Sequence, residues 1–249
     1  FHYTVDELMA YFEAHPVENL LLINPDNPSG NYIKYSDLLR LIDWAGTRGC
    51  RLVIDESFAD FSEEFPENTL LHDDVLERNP HLCVMKSISK SYGVPGLRLG
   101  VLASGDEEII AHLKKDVSIW NINSFAEFFL QIYSKYDSDY KRSSAKFIAE
   151  RERFRTELAA VPYLEVFDSQ ANYFLCRLTG TLTSDELAVR LLSDYGILIK
   201  DCSTKKGFEG RNYIRIAIRN REDNSRLVKA LLSVCRRKFV SVEEALKAT

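Results

Sequence analysis

The sequence predicts an α/β unit followed by a smaller α+β unit. Three observations lead there. Short apolar runs alternate with helical segments through the first half of the chain. Residues able to do chemistry collect at or just after the ends of those runs, where open α/β sheets bind their ligands. From about residue 124 long helix-rich stretches take over, and a different mix of strands and helices begins after Pro162.

Residues 4–15 read as one helix, with Val5, Leu8, Met9 and Phe12 on its apolar face. Residues 20–23 are a short apolar run stopped by Asn24 and Pro25, the mark of a buried parallel strand. Ser36 then precedes a helical face of Leu38, Leu39, Leu41, Ile42 and Ala45. Ser36 is the expected N-cap, and the helix closes near Gly49. Residues 51–55, 81–86 and 98–103 give three more strands, and residues 106–115 a helix. Residues 126–136 and 139–161 are rich in helix formers. The charges of the second (Lys146, Glu150, Arg151, Glu152, Arg153, Arg155 and Glu157) read as a solvated face. Strands are expected at 163–167, 172–177, 197–200 and 212–218, and helices at 184–195 and 223–239. The expected organisation is a large domain over 1–137, a connecting helix over 138–162 and a small domain over 163–249.

Composition narrows the function. The chain has 249 residues, 45% hydrophobic and 28% charged, which excludes disordered and low-complexity scaffolds. Its formal net charge of −5 offers no broad basic field for nucleic acid. No apolar run approaches the ~18 residues of a membrane-spanning helix, and residues 1–7 lack a signal-peptide pattern. Neither nucleic acid nor membrane is therefore an expected partner. The five cysteines (Cys50, Cys83, Cys176, Cys202 and Cys235) are odd in number, with no C-x-x-C pair. Cys83, Cys176 and Cys235 lie in apolar runs and read as small buried hydrophobes in a reducing, cytoplasmic setting. The five histidines form no metal-ligand spacing, so no zinc site is expected.

Four segments carry chemistry. Asn24-Pro-Asp-Asn-Pro-Ser-Gly30 follows the first strand, and the Asn27 amide can donate to a ligand oxygen; the bland alternative is a polar turn. Asp55 ends the second strand, where a buried carboxylate needs a positive partner such as a protonated pyridine or an arginine; the alternative is an aspartate capping the next turn. Lys90 stands in a loop among hydroxyls. A lysine in a site of reduced polarity becomes a nucleophile able to form a Schiff base with a carbonyl. Ser87, Ser89 and Arg98 suit a phosphate. Taken alone, a loop lysine is usually a solvated charge. Arg215, in an alternating strand with Tyr213, Ala217 and Arg219, suits an anion such as a carboxylate, or else a surface ion pair.

Together these segments, with N-P-x-N-P-S-G, the strand ending D-E-S-F and S-x-S-K-x-x-G-x-x-G-L-R-x-G, resemble the class I/II aminotransferases. That family is the fold-type I group of enzymes that use pyridoxal 5′-phosphate (PLP). The resemblance runs from about residue 4 to residue 235. It implies a PLP-dependent transferase-like large α/β domain plus a small α+β C-terminal domain. It also implies that Lys90 forms the internal aldimine and shuttles the proton, that Asp55 pairs with the pyridinium nitrogen, and that Asn27 donates to the cofactor's phenolic oxygen. Ser87, Ser89 and Arg98 would bind the cofactor phosphate, and Arg215 the substrate α-carboxylate. Asn172, in a family S-x-A-N-[FY] segment, would lie beside the substrate. A homodimer is implied as well.

Within the family the chain is similar to histidinol-phosphate aminotransferases and threonine-phosphate decarboxylases. Phe58 replaces a tyrosine that many aminotransferases carry three residues after the aspartate. Gly196-Ile-Leu-Ile-Lys-Asp-Cys-Ser203 resembles the decarboxylase stretch G-I-L-I-R-D-C-S, with Lys200 in place of arginine. Lys200 would meet a substrate phosphate as a point charge, or else be a solvated strand-end charge. The expected activity is amino transfer on a small amino acid, with or without a phosphate. The alternatives are decarboxylation of an O-phospho- or phosphono-amino acid, and a folded piece that is not catalytic by itself. Family members carry a glycine turn and a ring-stacking aromatic before the N-P-x-N-P segment. The large domain is thus expected to be incomplete at its N-terminus. A nucleotide-binding oxidoreductase fits poorly, because Gly93, Gly96 and Gly100 do not make G-x-G-x-x-G.

Overall fold

Thr4 starts the first helix, α1 (Val5–Ala14), with a capping box: its hydroxyl accepts from the Glu7 N–H, and the Glu7 carboxylate accepts from the Thr4 N–H. In this computed structural model the backbone is described for residues 1–247 and the side chains for residues 1–234. Cys235 lies outside the described side chains. The chain divides into two units, residues 1–148 and 149–249. The division falls within α7 (Asp137–Ala159), inside the segment expected to connect the domains.

The first unit holds four strands, β1 (Asn19–Ile23), β2 (Arg51–Asp55), β3 (Leu82–Ser87) and β4 (Gly100–Ser104), in the order β1-β2-β3-β4. β1, β2 and β3 are parallel, and β4 runs antiparallel to β3. Leu20 and Leu22 of β1, Leu52 and Ile54 of β2, and Leu82 and Val84 of β3 bury one face of the sheet. The face of α2 (Tyr35–Thr47) that meets them consists of Leu38, Leu41, Ile42 and Ala45, as the 3.6-residue spacing requires. Leu39 is only partly buried against that cluster.

Several boundaries differ from expectation for local reasons. α2 begins at Tyr35, so Ser36 lies in its first turn and caps nothing. The Tyr35 N–H instead donates to the distant Glu64 carboxylate at 3.0 Å. β4 begins at Gly100 rather than Arg98, because Arg98 is held in a left-handed conformation at φ 56°. Lys90 sits on a one-turn helix, α4 (Ile88–Ser91), rather than in open loop; the Tyr92 N–H closes it on the Ile88 carbonyl. A further short helix, α3 (Asp73–Arg78), occupies what read as loop, and α5 (Glu107–Asp116) and α6 (Ser124–Ile132) follow β4.

In the second unit, β5 (Leu164–Val166), β6 (Tyr173–Leu178), β7 (Lys200–Asp201) and β8 (Tyr213–Ala217) form an antiparallel sheet in the order β5-β6-β8-β7. α8 (Ser184–Tyr195) opens on a Thr183–Glu186 capping box and stops at Gly196, which takes a left-handed conformation at φ 64°. The strand expected at 197–200 begins only at Lys200, the first residue that pairs with β8. The closing helix, α9 (Arg221–Lys247), starts two residues earlier than expected, because the Asn220 amide oxygen accepts from the Asp223 N–H. Arg151 corrects the reading of a solvated helix face. It is wholly buried and donates to the Gln170 amide oxygen at 2.9 Å. A guanidinium is tolerated there because it is hydrogen-bonded. Cys50, Cys83, Cys176 and Cys202 are buried free thiols. Among the described residues, no helix is long and apolar enough to cross a membrane.

Gly105, just after β4, has no room for a side chain: a Cβ would lie 2.2 Å from the Leu76 carbonyl oxygen. Gly105→Ala is expected to lower the unfolding free energy by about 1–3 kcal/mol in urea melts. Gly96→Ala, where a Cβ would meet nothing within 4 Å, should change it by less than about 0.5 kcal/mol.

Candidate active site

Parallel pairing brings the C-terminal ends of three strands to one edge of the first sheet. Ile23 of β1 pairs with Asp55 of β2, and Asp55 with Met85 of β3. Two backbone bonds continue the stitching past the strand ends. The Asn24 N–H donates to the Asp55 carbonyl at 3.0 Å, and the Glu56 N–H to the Met85 carbonyl at 2.8 Å. Antiparallel β4 starts at the same edge, with Gly100 opposite Ser87. The segments bearing Asn27, Asp55, Ser87, Ser89, Lys90 and Arg98 therefore share one sheet edge.

The Asn27 loop is tied down by the buried side chain of Asn24. Its amide donates to the Ile33 carbonyl at 2.9 Å and its oxygen accepts from the Ile33 N–H at 2.8 Å. Asp26 accepts from the backbone and the hydroxyl of Ser29. The bonds reach across a nine-residue span, so this is a built loop rather than a bare turn. Asn27 is half-buried on it.

Asp55 is half-buried, and its Oδ1 accepts from the Ser57 N–H at 2.8 Å. The turn-capping alternative thus holds for one oxygen, and a carboxylate still has capacity for a cationic or N–H partner. Ser57 bridges to the next strand, its hydroxyl accepting from the Ser87 N–H at 2.9 Å. Glu56, almost fully buried, accepts from the Leu70 N–H at 2.6 Å and the Thr69 hydroxyl at 2.7 Å. Burial nevertheless pushes its carboxyl above the ordinary value of 4.5.

Ser89 is buried, and its carbonyl accepts from the Val94 N–H at 3.0 Å, closing the turn that carries Lys90. Lys90 is exposed on one side; on the other its Nζ stands 4.3 Å from the centre of the Phe58 ring. The amine therefore has one apolar, π-rich wall. Arg98 is exposed, its guanidinium donating to the Pro95 carbonyl at 3.3 Å.

Arg215, Asn172 and Lys200 belong to the second unit. Lys200 pairs directly with Arg215 across β7 and β8. Arg215 is half-buried, its guanidinium 5.0 Å from the Tyr173 ring centre. The Asn172 carbonyl accepts from the Ile218 N–H at 2.9 Å, which places Asn172 beside the end of β8. Two cations thus stand in direct register on neighbouring strands.

Sequence reasoning missed three groups around the Lys90 turn. Asp60 and Lys86 form an ion pair that is nearly inaccessible, with side-chain exposures of 3% and 13%. The Tyr140 hydroxyl donates to the other Asp60 oxygen at 2.6 Å. The pairing of Lys86 with Asp60 spans 26 positions, and only the fold brings them together.

Residues 1–231 match the family described as aminotransferase class I and II. The chain belongs to that family. The family is PLP-dependent, and its fold-type I architecture is the one seen here. The chain is similar to the L-serine phosphate decarboxylase of Sulfurospirillum multivorans, with 32% identity over 94% of this chain and 60% of the relative. It is also similar to the CMP-5′-(3-aminopropyl)phosphonate synthase of Streptomyces rubellomurinus, with 34% identity over 94% of this chain and 37% of the relative. Among solved structures, the histidinol-phosphate aminotransferase of Clostridium acetobutylicum superposes with a TM-score of 0.81 at 28% identity, over 92% of this chain and 67% of that one. The chain thus spans 37% to 60% of the length of the two curated relatives.

The residues present fit the family cofactor. A carboxylate (Asp55), an amide (Asn27), two hydroxyls (Ser87 and Ser89), a guanidinium (Arg98) and a primary amine (Lys90) share one sheet edge. That donor set suits a flat ring bearing a protonated nitrogen, a phenolic oxygen, a phosphate and a carbonyl.

Glu56 gives a pH test of this edge. Its carboxyl is raised on folding, so the folded protein binds more protons than the unfolded chain just above pH 4.5. Stability should therefore fall as pH rises from 4.5 through the raised value, and level off above it. Urea melts between those pH values are expected to show a steeper fall for the native chain than for Glu56→Gln.

Proposed function

We propose that this chain carries the cofactor lysine and the substrate-binding cations of a PLP enzyme acting at Cα of a small phosphorylated or phosphonate-bearing amino acid. The observation that carries the reading is the Lys200–Arg215 pair, two cations in direct cross-strand register. A substrate with both a carboxylate and a phosphate offers an acceptor to each of them.

When bound, PLP supplies an electron sink for the bond broken at Cα. Lys90 would hold the cofactor through its side-chain amine, and its Nζ would hold and move a proton. The Asp55 carboxylate would pair with a protonated ring nitrogen. Asn27 would donate to the phenolic oxygen, and Ser87, Ser89 and Arg98 would donate to the phosphate. Arg215 receives the α-carboxylate, with Asn172 beside it. Lys200 receives the substrate phosphate as a point charge. Phe58 walls the Lys90 amine with carbon, which keeps water off that side.

Loss of the carboxylate as carbon dioxide is the reaction we place first. It is supported by the similarity to L-serine phosphate decarboxylase and by Phe58. Amino transfer is the second reading, supported by the likeness to histidinol-phosphate aminotransferase. The reading includes a homodimer, on the family resemblance, and a cytoplasmic setting, on the buried free thiols.

The purified chain mixed with PLP should develop a visible absorbance band, and borohydride should fix the cofactor on Lys90. No band, or a band that survives Lys90→Ala, overturns the reading. With O-phosphoserine or O-phosphothreonine, carbon dioxide release without an oxo-acid acceptor marks decarboxylation; acceptor-dependent product marks transfer. Lys200→Ala is expected to raise KM for the phosphorylated substrate by about tenfold, as for a lost charge-assisted hydrogen bond, with a smaller change in kcat.

A further inference from the structure

We propose that Asp60 is a positioning residue for Lys90, its carboxylate clamping the one-turn helix α4 from both flanks. The inference rests on the reading of Lys90 as the cofactor lysine. Asp60 lies in a short turn, Ala59–Phe61, five residues beyond Asp55, and is almost fully buried. Its Oδ1 receives Lys86, which precedes Lys90 by four positions at the end of β3. Its Oδ2 receives the Tyr140 hydroxyl at 2.6 Å. The Tyr140 ring stacks on that of Tyr92, two positions beyond Lys90, with centroids 4.1 Å apart and planes 9° from parallel. One carboxylate therefore commits one oxygen to a strut on each side of the Lys90 turn.

Such a turn needs that support. A four-residue helix stands at the unfavourable end of nucleation and does not hold itself together. Its own closing bonds are long, with the Tyr92 N–H at 3.2 Å from the Ile88 carbonyl and the Gly93 N–H at 3.2 Å from the Lys90 carbonyl. The Lys90 amine rides on a flexible four-carbon stem, so the base of that stem decides where it can reach. Asp60 also fixes the other wall, because Phe58, whose ring lies under the amine, is two residues away on the same turn. Burial and the Asp60 carboxylate push the Tyr140 phenol well up, which keeps it a hydrogen-bond donor. The three polar groups satisfy one another, as a buried network must.

The test compares the native chain with Asp60→Asn and Tyr140→Phe, without PLP, by amide hydrogen exchange. Loss of a strut should speed exchange across residues 88–94 by about tenfold or more, while amides of β1 and α2 keep their rates. Tyr92→Phe preserves the stacked ring and should leave exchange unchanged. A second measurement is the rate at which PLP and borohydride label Lys90, read by peptide mass. It should fall in Asp60→Asn while the labelling of the other lysines holds. Unchanged exchange in 88–94 overturns the proposal, as does a proportional rise throughout the first unit, which marks Asp60 as a general stabiliser. If Asp60→Asn does not fold, Tyr140→Phe, which removes one strut and leaves the ion pair, carries the same two outcomes. If the native chain is never labelled at Lys90 while exchange responds as expected, the reading of Lys90 falls and the clamp stands.

Discussion

The pairing of Ile23, Asp55 and Met85 across three parallel strands is the constraint on which the site depends. Parallel neighbours all end at the same edge, so segments far apart in sequence are delivered side by side. The backbone bonds from Asn24 to Asp55 and from Glu56 to Met85 then carry the register past the strands and into the loops. A slip of one residue in β2 would turn Asp55 toward the packed face and put Ile54 at the ligand edge. Leu52 and Ile54, which have no accessible surface, oppose that slip.

Asn24, Glu56 and Ser57, just past the ends of β1 and β2, are buried polar residues with hydrogen-bond partners. Asn24 holds the first loop, Glu56 anchors the chain at residues 69 and 70, and Ser57 ties β2 to β3. Burying such groups is costly only when they are left unpaired. The result is a set of loops with little freedom, suited to holding a cofactor by several separate contacts. Lys90 has one open side and one carbon wall.

The second unit follows a different logic. Its antiparallel sheet hides Ile214 and Ile216 on one face of β8 and leaves Arg215 half-buried on the other. Alternation along a strand is enough to aim an arginine outward from a packed core. The two cations of β7 and β8 face each other because those strands pair in that register.

By itself the sequence determined the order of the strands and longer helices, and the family. Period-two and period-3.6 patterns are local, and motifs such as S-x-S-K lie within a few consecutive residues. α8 spans 184–195 in both the expected and observed structures for that reason. Tertiary structure alone decided where boundaries fall when a distant group intervenes, as Glu64 does for α2. It also decided that Arg151 is buried, because the charge pattern of α7 says nothing of Gln170 waiting in another segment. The Asp60, Lys86 and Tyr140 cluster joins segments 26 and 80 positions apart. Buried polar partnerships of this kind are fixed by which surfaces meet, and no local pattern in the chain records that.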